Sequence, residues 1–394
     1  MELTKKQEEG LKIALDRYKN NEKYTTIAGY AGTGKSTLVK FIIAALDVEE
    51  SKVAYAAYTG KAAEVLRRKG NQNTMTLHRL LYDSIPRSDG GFYRKPKTKL
   101  DYTIIVVDEV SMVPKSMIDI LLAHKAYIIF LGDPFQLPQI DKKEAHTLLD
   151  NPHIFLDEVM RQAAESEIIQ LTMKIRNYEP INFSKGKEVI IIPKKELATG
   201  HLTWADQVIC ATNAMRQALN DQIRELYGYH GLPKEGEKMI CLRNYWDDIS
   251  DTGGSALVNG LTGTIVDPEK TIITVPRYVK MENHALEAIS CIIKTDEGET
   301  FYAINMDKHM IETGEKCVSW KEAYVLGKLI NRLGDIVPKE FAYGYAITAW
   351  KAQGSEFDKV LAIEENFPFD RVEHAKYLYT VCSRAAQKLV LVRN

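Results

Sequence analysis

The stretch GYAGTGKS, residues 29–36, follows directly on the apolar segment TTIA at 25–28 and leads into TLVKFIIAAL at 37–46. Its spacing is G-x-x-x-x-G-K-[ST], which between a strand and a helix closes backbone N–H groups around phosphate oxygens. Lys35 is placed to reach the β and γ phosphates, and Ser36 to offer its hydroxyl to Mg²⁺. The helix that follows points its positive end at the same place. Gly29, Gly32, Thr33, Gly34, Lys35, Ser36 and Thr37 are therefore expected to hold a nucleotide triphosphate. Such a loop belongs to an α/β fold, and the rest of the chain is read outward from it.

Short apolar runs bounded by turn or cap residues recur on both sides of the loop. They are YTTIA (24–28), KVAYAAY (52–58), TIIVVDE (103–109) and YIIFLGD (127–133), then KEVIIIP (187–193), DQVICAT (206–212), KVLAIEE (359–365) and KLVLV (388–392). Val and Ile runs alternating with helical stretches indicate parallel strands covered on both faces. Between the two groups, roughly 236 to 330, the texture changes to TGTIV, KTIITVP and CIIKTDEGETFYAI with many Gly and Asp turns. That part reads as a small antiparallel β unit. The expectation is two α/β domains with a β-rich insert in the second.

Length and composition agree with this division. A chain of 394 residues is too long for one core, and 45% hydrophobic content is ample for several. The formal net charge of -1 gives no global basic field, so nucleic-acid binding would rest on local patches and aromatics. Cys210, Cys241, Cys291, Cys317 and Cys382 are odd in number and far apart, with no C-x-x-C pair to suggest a disulfide framework or a zinc site. No apolar run has the length of a membrane span, and MELTKKQEEG lacks a signal-peptide core. An intracellular, cytoplasmic protein is expected.

TIIVVDE sets Asp108 and Glu109 at the end of a buried strand, where P-loop folds collect carboxylates. Asp108, with Ser36, is the expected Mg²⁺ ligand, and Glu109 the group that orients or deprotonates the attacking water. A carboxylate at the second position favours hydrolysis over transfer to a substrate hydroxyl.

From DEVSM (108–112) and GDPFQLPQ (132–139) onward, the sequence resembles superfamily 1 helicases, most closely the 5′→3′ branch with the phage Dda and RecD-type helicases. LTKKQ (3–7) resembles the Q motif, AAYTGKAAEVL (56–66) motif Ia, and TMTLHRLL (74–81) the Thr-x-His motif after it. VMRQ (159–162) resembles motif IV, AYAITAWKAQGSEFDKV motif V and LYTVCSRAAQKLVLV motif VI. The resemblance implies that Gln7 reads the adenine edge, that Gln136 senses the γ-phosphate, and that Arg161 and Arg384 are arginine fingers acting across a cleft. It also implies a γ-phosphate contact for Gly354 and a ribose contact for Glu356. Thr59, Lys61, Thr76, His78 and Thr348 are its candidates for the track of single-stranded DNA. Trp350 stands where relatives commonly carry His, and reads either as a core residue or as a ring against which a base or ribose packs.

Between TLHRLLY and TIIVVDE, residues 87–99 carry five basic residues against one acidic, around the hairpin signal DGG. In the relatives a β-hairpin pin here meets the duplex junction, which makes Phe92 and Tyr93 candidate DNA contacts; a basic surface loop is the alternative. LVNGLTGTIV (257–266) resembles an SH3-like barrel, with Asn259-Gly260 as its turn.

The implied architecture is a RecA-like motor domain 1A at 1–180 with the pin at 82–100, a second motor domain 2A at 181–235 and 335–394, and an SH3-like domain 2B at 236–334. The implied function is an ATP- and Mg²⁺-dependent DNA helicase that moves 5′→3′ on single-stranded DNA and meets single-to-double-strand junctions. It would act as a monomer, with single-strand-binding, replication or recombination proteins as candidate partners. Two rivals stay open: a P-loop phosphotransferase, and an ATPase that moves on or remodels nucleoprotein without unwinding. RNA as the track is a variant.

Overall fold

The computed structural model describes residues 3–86, 92–138, 142–160, 165–252, 256–277, 283–296, 298–317, 337–365 and 370–394. The chain divides into two compact units, Met1–Leu81 with Pro96–Arg216 and Ile347–Asn394, and Tyr82–Lys95 with Gln217–Ala346.

The first unit holds two six-stranded sheets. In one, the order is Thr74–Thr76, Val53–Ala57, Ile104–Asp108, Tyr127–Gly132, Tyr24–Gly29, Ile154–Leu156, and every pairing is parallel. Val53–Ala57 and Tyr127–Gly132 are buried at every position, which is why these strands read as unbroken apolar runs. One face packs Ile27, Val106, Ile129 and Leu131 against Leu38, Val39 and Ile42 of the helix that follows the loop. The strands ending at Asp108, Gly132 and Gly29 stand side by side, so the three loops leaving their C-terminal ends converge. In parallel sheets that edge is where ligands bind.

The other sheet runs Ala346–Thr348, Gln207–Cys210, Phe357–Ile363, Ala385–Arg393, Val189–Pro193, Ser184–Lys185. Gln207–Cys210, Phe357–Ile363, Ala385–Arg393 and Val189–Pro193 pair in parallel, and Ser184–Lys185 is antiparallel to its neighbour. Helices Glu167–Arg176 and Arg371–Cys382 pack on one another and on this sheet.

In the second unit a five-stranded sheet runs Thr300–Asp307, Ala285–Thr295, Thr262–Thr274, Lys238–Cys241, Phe341–Tyr343, with antiparallel pairing throughout. TGTIV and KTIITVP, which read as separate runs, form one strand with an irregularity between Val266 and Glu269. Such a bulge bends a long strand without ending it. Asn259 and Gly260 make a turn in which Gly260 takes φ +87° and its N–H donates to the Cys241 carbonyl at 2.8 Å. The buried pair Arg224–Glu237 (2.7 Å) is completed by the ring of Tyr343, 4.0 Å from the guanidinium carbon. Tyr82–Pro86 and Phe92–Pro96 form a two-stranded sheet of their own. Its connecting residues and the side chains of Phe92 and Tyr93 lie outside the described residues.

All five cysteines carry thiols, and among the described residues no helix is long and apolar enough to cross a membrane.

The edge of the second sheet carries a pH-dependent contact. Burial alone would raise the Glu364 carboxyl, but hydrogen bonds from His374 and Arg393 outweigh it and hold it at about 2, below its ordinary 4.5. A depressed carboxylate contributes stability that is complete above the unfolded pKa and is lost as pH falls through the folded one. Glu364→Gln should therefore lower the urea midpoint most at about pH 6, with the gap from wild type shrinking as pH falls toward about 2. Tryptophan-fluorescence unfolding curves at a series of pH values check this; a gap that stays constant would remove Glu364 from the acid response.

Candidate active site

The phosphate loop starts from the buried strand Tyr24–Gly29, and two of its glycines take left-handed backbone, Gly32 at φ +75° and Gly34 at φ +79°. A Cβ on Gly34 would stand 2.5 Å from Gln7 Nε2 and displace that amide, but the left-handed backbone is what calls for glycine there. Lys35 Nζ donates to the carbonyls of Gly29 (2.7 Å) and Tyr30 (3.0 Å) and has no carboxylate partner among the described residues. Thr33 is buried, its hydroxyl donating to the Tyr30 carbonyl at 2.9 Å. Ser36 and Thr37 open onto a cavity of about 440 Å³ beside the same helix. Gln7 is buried too. Its Oε1 accepts from Thr4 N–H at 3.0 Å, and its Nε2 donates to the carbonyls of Thr33 and Gly34 at 3.4 Å each. The amide that the resemblance assigns to adenine braces the loop here.

Next to the loop come the acids. Asp108 Oδ1 accepts from the N–H of Glu109, which itself sits at φ +50°. Burial first, and then the charge of Glu109, raise the Asp108 carboxyl, while Lys35 draws it down. Oxygen donors at Ser36 and Asp108 suit Mg²⁺, which favours few protein ligands and completes its shell with phosphate and water. Among the described residues no group of three or more His, Cys, Asp or Glu forms a protein-only metal site.

Gln136 links the acids to the second sheet. With its amide turned to satisfy its neighbours, its nitrogen donates to Glu109 Oε2 and its oxygen accepts from Arg384 Nη2, both at 3.3 Å. Arg384 comes from the turn after helix Arg371–Cys382, with Nη1 4.0 Å from Glu109 Oε1 and 3.3 Å from the Ser355 carbonyl. Arg161 lies outside the described residues.

Sequence reading missed several groups that the fold brings to this place. Tyr379 is buried; its hydroxyl accepts the Ala31 N–H (2.8 Å) and donates to Asp133 Oδ2 (2.5 Å). Burial first, then the Lys35 charge and the Tyr379 hydroxyl in opposition, leave the Asp133 carboxyl above its ordinary range. Thr380 Oγ1 accepts the Leu137 N–H at 2.9 Å, and Gln353 Nε2 donates to the Leu137 carbonyl at 2.7 Å. Trp350, which the motif V resemblance had already singled out, is part-exposed on the short helix Ala349–Ala352, and its indole N–H donates to the Pro138 carbonyl at 3.3 Å. The sequence signal for these contacts was that the partners fall within GYAGTGKS, GDPFQLPQ and the motif V and VI segments.

The expected track residues are placed by local structure. Thr59 caps helix Gly60–Arg68, its Oγ1 accepting from Ala62 N–H at 3.2 Å, and Thr76 Oγ1 accepts from Arg79 N–H at 3.3 Å. Lys61 and Thr348 are buried, and the His78 ring lies 5.7 Å from that of Tyr58. Gly354, at φ +74°, approaches motif Ia so closely that a Cβ would meet Ala62 Cβ at 2.6 Å. Glu356 is exposed.

Two α/β sheets joined around one phosphate loop define a P-loop protein whose site is completed by groups from both sheets. Residues 2–188 match the AAA domain family, and residues 343–392 match the UvrD-like helicase C-terminal domain. The chain is 37% identical over 152 residues to the ATP-dependent RecD2 DNA helicase of Deinococcus radiodurans, covering 36% of this chain and 20% of that protein. It is 30% identical over 150 residues to the ATP-dependent DNA helicase dda of Enterobacteria phage T4, covering 36% of this chain and 34% of that protein. The chain thus spans only a fifth to a third of the length of these two relatives. A Pif1 helicase from Bacteroides, solved in complex with ADP-AlF3 and ssDNA, superposes with a TM-score of 0.55 at 18% identity, covering 99% of this chain and 92% of that one. Its RecA-like α/β fold is the one seen here. These matches agree with the resemblance to superfamily 1 helicases read from the motifs.

Tyr379→Phe removes a buried hydroxyl and leaves the Ala31 N–H and the Asp133 carboxylate without it. Losing a buried partner in this way costs about 1–3 kcal/mol. Denaturant unfolding without nucleotide should show a loss of that size; unchanged stability would mean that water replaces the hydroxyl.

Proposed function

We propose that this protein is an ATP-dependent DNA helicase that translocates 5′→3′ on single-stranded DNA and separates duplex ahead of it. The observation that carries the reading is the Glu109–Gln136–Arg384 chain, which joins an acid of the first sheet to a cation of the second beside the phosphate loop. In hydrolysis the water oxygen bonds to the γ-phosphorus as the bond to the bridging oxygen breaks, and ADP leaves with that electron pair. Glu109 takes the water proton, Gln136 orients the water, and Lys35 and Arg384 neutralise charge on the phosphoryl oxygens. Ser36 and Asp108 would hold Mg²⁺, which adds positive charge at the phosphates when bound. Arg161 is assigned as the second finger by resemblance.

Movement follows if the grip of the two sheets on DNA alternates with the nucleotide. The division into 1A (1–180), 2A (181–235 and 335–394), an SH3-like 2B (236–334) and a pin at 82–100 belongs to this proposal. So do Thr59, Lys61, Thr76, His78, Thr348 and Trp350 as the track, and Phe92 and Tyr93 at the junction. Preference for DNA rests on the relatives, whose names call them DNA helicases, and direction on the motif resemblance to the 5′→3′ branch. Cytoplasmic action as a monomer, with single-strand-binding or recombination proteins nearby, completes the reading.

The test is unwinding of matched partial duplexes with either a 5′ or a 3′ single-stranded tail, with ATP turnover recorded in the same reaction. Separation from the 5′ tail alone is expected. DNA-stimulated turnover without separation would replace the helicase with a translocase or remodeller. Lys35→Ala should abolish turnover, and Glu109→Gln should lower kcat by about 10²–10⁴-fold while nucleotide binding persists. Full turnover in either variant would sink the site assignment.

A further inference from the structure

We propose that Arg176 is a further catalytic residue of this site, a cation carried by the second sheet that contacts the γ-phosphate of bound ATP. The inference rests on the ATPase reading above and extends it to a residue that no motif assigns. Arg176 ends helix Glu167–Arg176, which packs against helix Arg371–Cys382 and strand Ala385–Arg393 of the second sheet. Its guanidinium crosses to the first sheet and its carbon lies over the Tyr30 ring, 3.7 Å from the ring centre, where Tyr30 is the second residue of the phosphate loop. Phe155 holds that ring edge-on at 5.3 Å between centroids.

The cation is half-buried, yet among the described residues no carbonyl or carboxylate accepts a hydrogen bond from it or pairs with it. The acids in its neighbourhood are already engaged. Asp157 pairs with Lys6, and Asp133 accepts from the Tyr379 hydroxyl and from the N–H of Phe135. Burial raises the Tyr30 and Tyr379 hydroxyls, and the charge of Arg176 works against both shifts, which places it between the loop and the residue that holds Ala31 N–H. A guanidinium held over a ring spends none of its N–H groups on a hydrogen bond and keeps them for a planar, bidentate acceptor. Stacking alone offsets little of the cost of partly dehydrating an unpaired cation, whereas a phosphoryl group at the loop offers the missing acceptor. As the bond to the bridging oxygen breaks, Arg176 takes no proton and donates hydrogen bonds to γ oxygens, where charge builds.

A transition-state contact weakens binding of a transition-state mimic more than binding of the product. Full-length Arg176→Gln is therefore titrated with fluorescent ADP, with and without aluminium fluoride, in Mg²⁺ and single-stranded DNA. ATP turnover and Tm are measured alongside. Affinity for ADP should stay within about twofold, while the tightening by aluminium fluoride and kcat both fall about 10²-fold. Equal weakening of both complexes would make Arg176 a structural clamp on Tyr30, and no weakening would remove it from the site; either overturns the proposal. If Arg176→Gln does not fold, Arg176→Lys keeps a cation but not the fork, and the same two affinities decide in the same way. A wild-type protein that hydrolyses no ATP would fail the ATPase reading itself, an outcome distinct from a hydrolysing wild type with an indifferent Arg176.

Discussion

The loop from Asp133 to Pro138 belongs by chain to the first sheet and by hydrogen bonding to the second. It leaves strand Tyr127–Gly132 next to the phosphate loop. Tyr379 binds Asp133, Arg384 binds Gln136, Thr380 and Gln353 bind the two backbone groups of Leu137, and Trp350 binds the Pro138 carbonyl. Every one of those partners lies on an element around the second sheet. Because Asp133, Gln136 and Leu137 are buried, their contacts cannot be exchanged for water without a cost, whereas the Trp350 contact at Pro138 is exposed. The loop is therefore the place where a change at the phosphates reaches the second sheet.

Rigid sheets make that connection useful. Strands buried on both faces cannot shift in register without exposing a whole apolar set, so loops at their ends are presented at fixed positions. Movable parts are confined to side chains and to the spacing between the sheets. Tyr379 shows the consequence, since one hydroxyl reads both a backbone N–H of the phosphate loop and a carboxylate of the Asp133 loop. A change at either of those two loops reaches the second sheet through this one hydroxyl as well as through the other contacts of the Asp133 loop.

Much of this was legible in the sequence. All eight Val/Ile-rich runs became strands, because their signal is local and repeated. Thr74–Thr76, Ile154–Leu156, Ser184–Lys185 and Ala346–Thr348 were not foreseen; two or three residues leave no periodicity to read. GYAGTGKS and the acids at 108–109 were legible for a similar reason, since each is a short motif whose geometry is set within a single turn. Tyr379 and Arg176 were not. One sits in the middle of a helix of nearly continuous burial, and the other looks like the ordinary basic residue of a last helical turn. Their partners are more than a hundred residues away, and only the packing of one sheet against the other shows which atoms meet. Thr59 and Thr76 show the converse, since a hydroxyl singled out by motif is occupied here in capping a helix or turn.

The strengths of the contacts also carry an argument. Arg384 and Glu109 are 4.0 Å apart, and Gln136 spans them through two bonds of 3.3 Å, all longer than a strong charge-assisted pair. A short, buried Arg384–Glu109 bridge would neutralise the cation that a phosphoryl group needs and the base that a water needs. Lys35 rests on carbonyls for the same electrostatic reason, since a neutral acceptor gives way to a phosphate more readily than a carboxylate would. Loose contacts at the centre and tight ones around Asp133 and Leu137 thus divide the work. The outer contacts fix where the sheets meet, and the inner ones leave charge uncommitted until an anion enters.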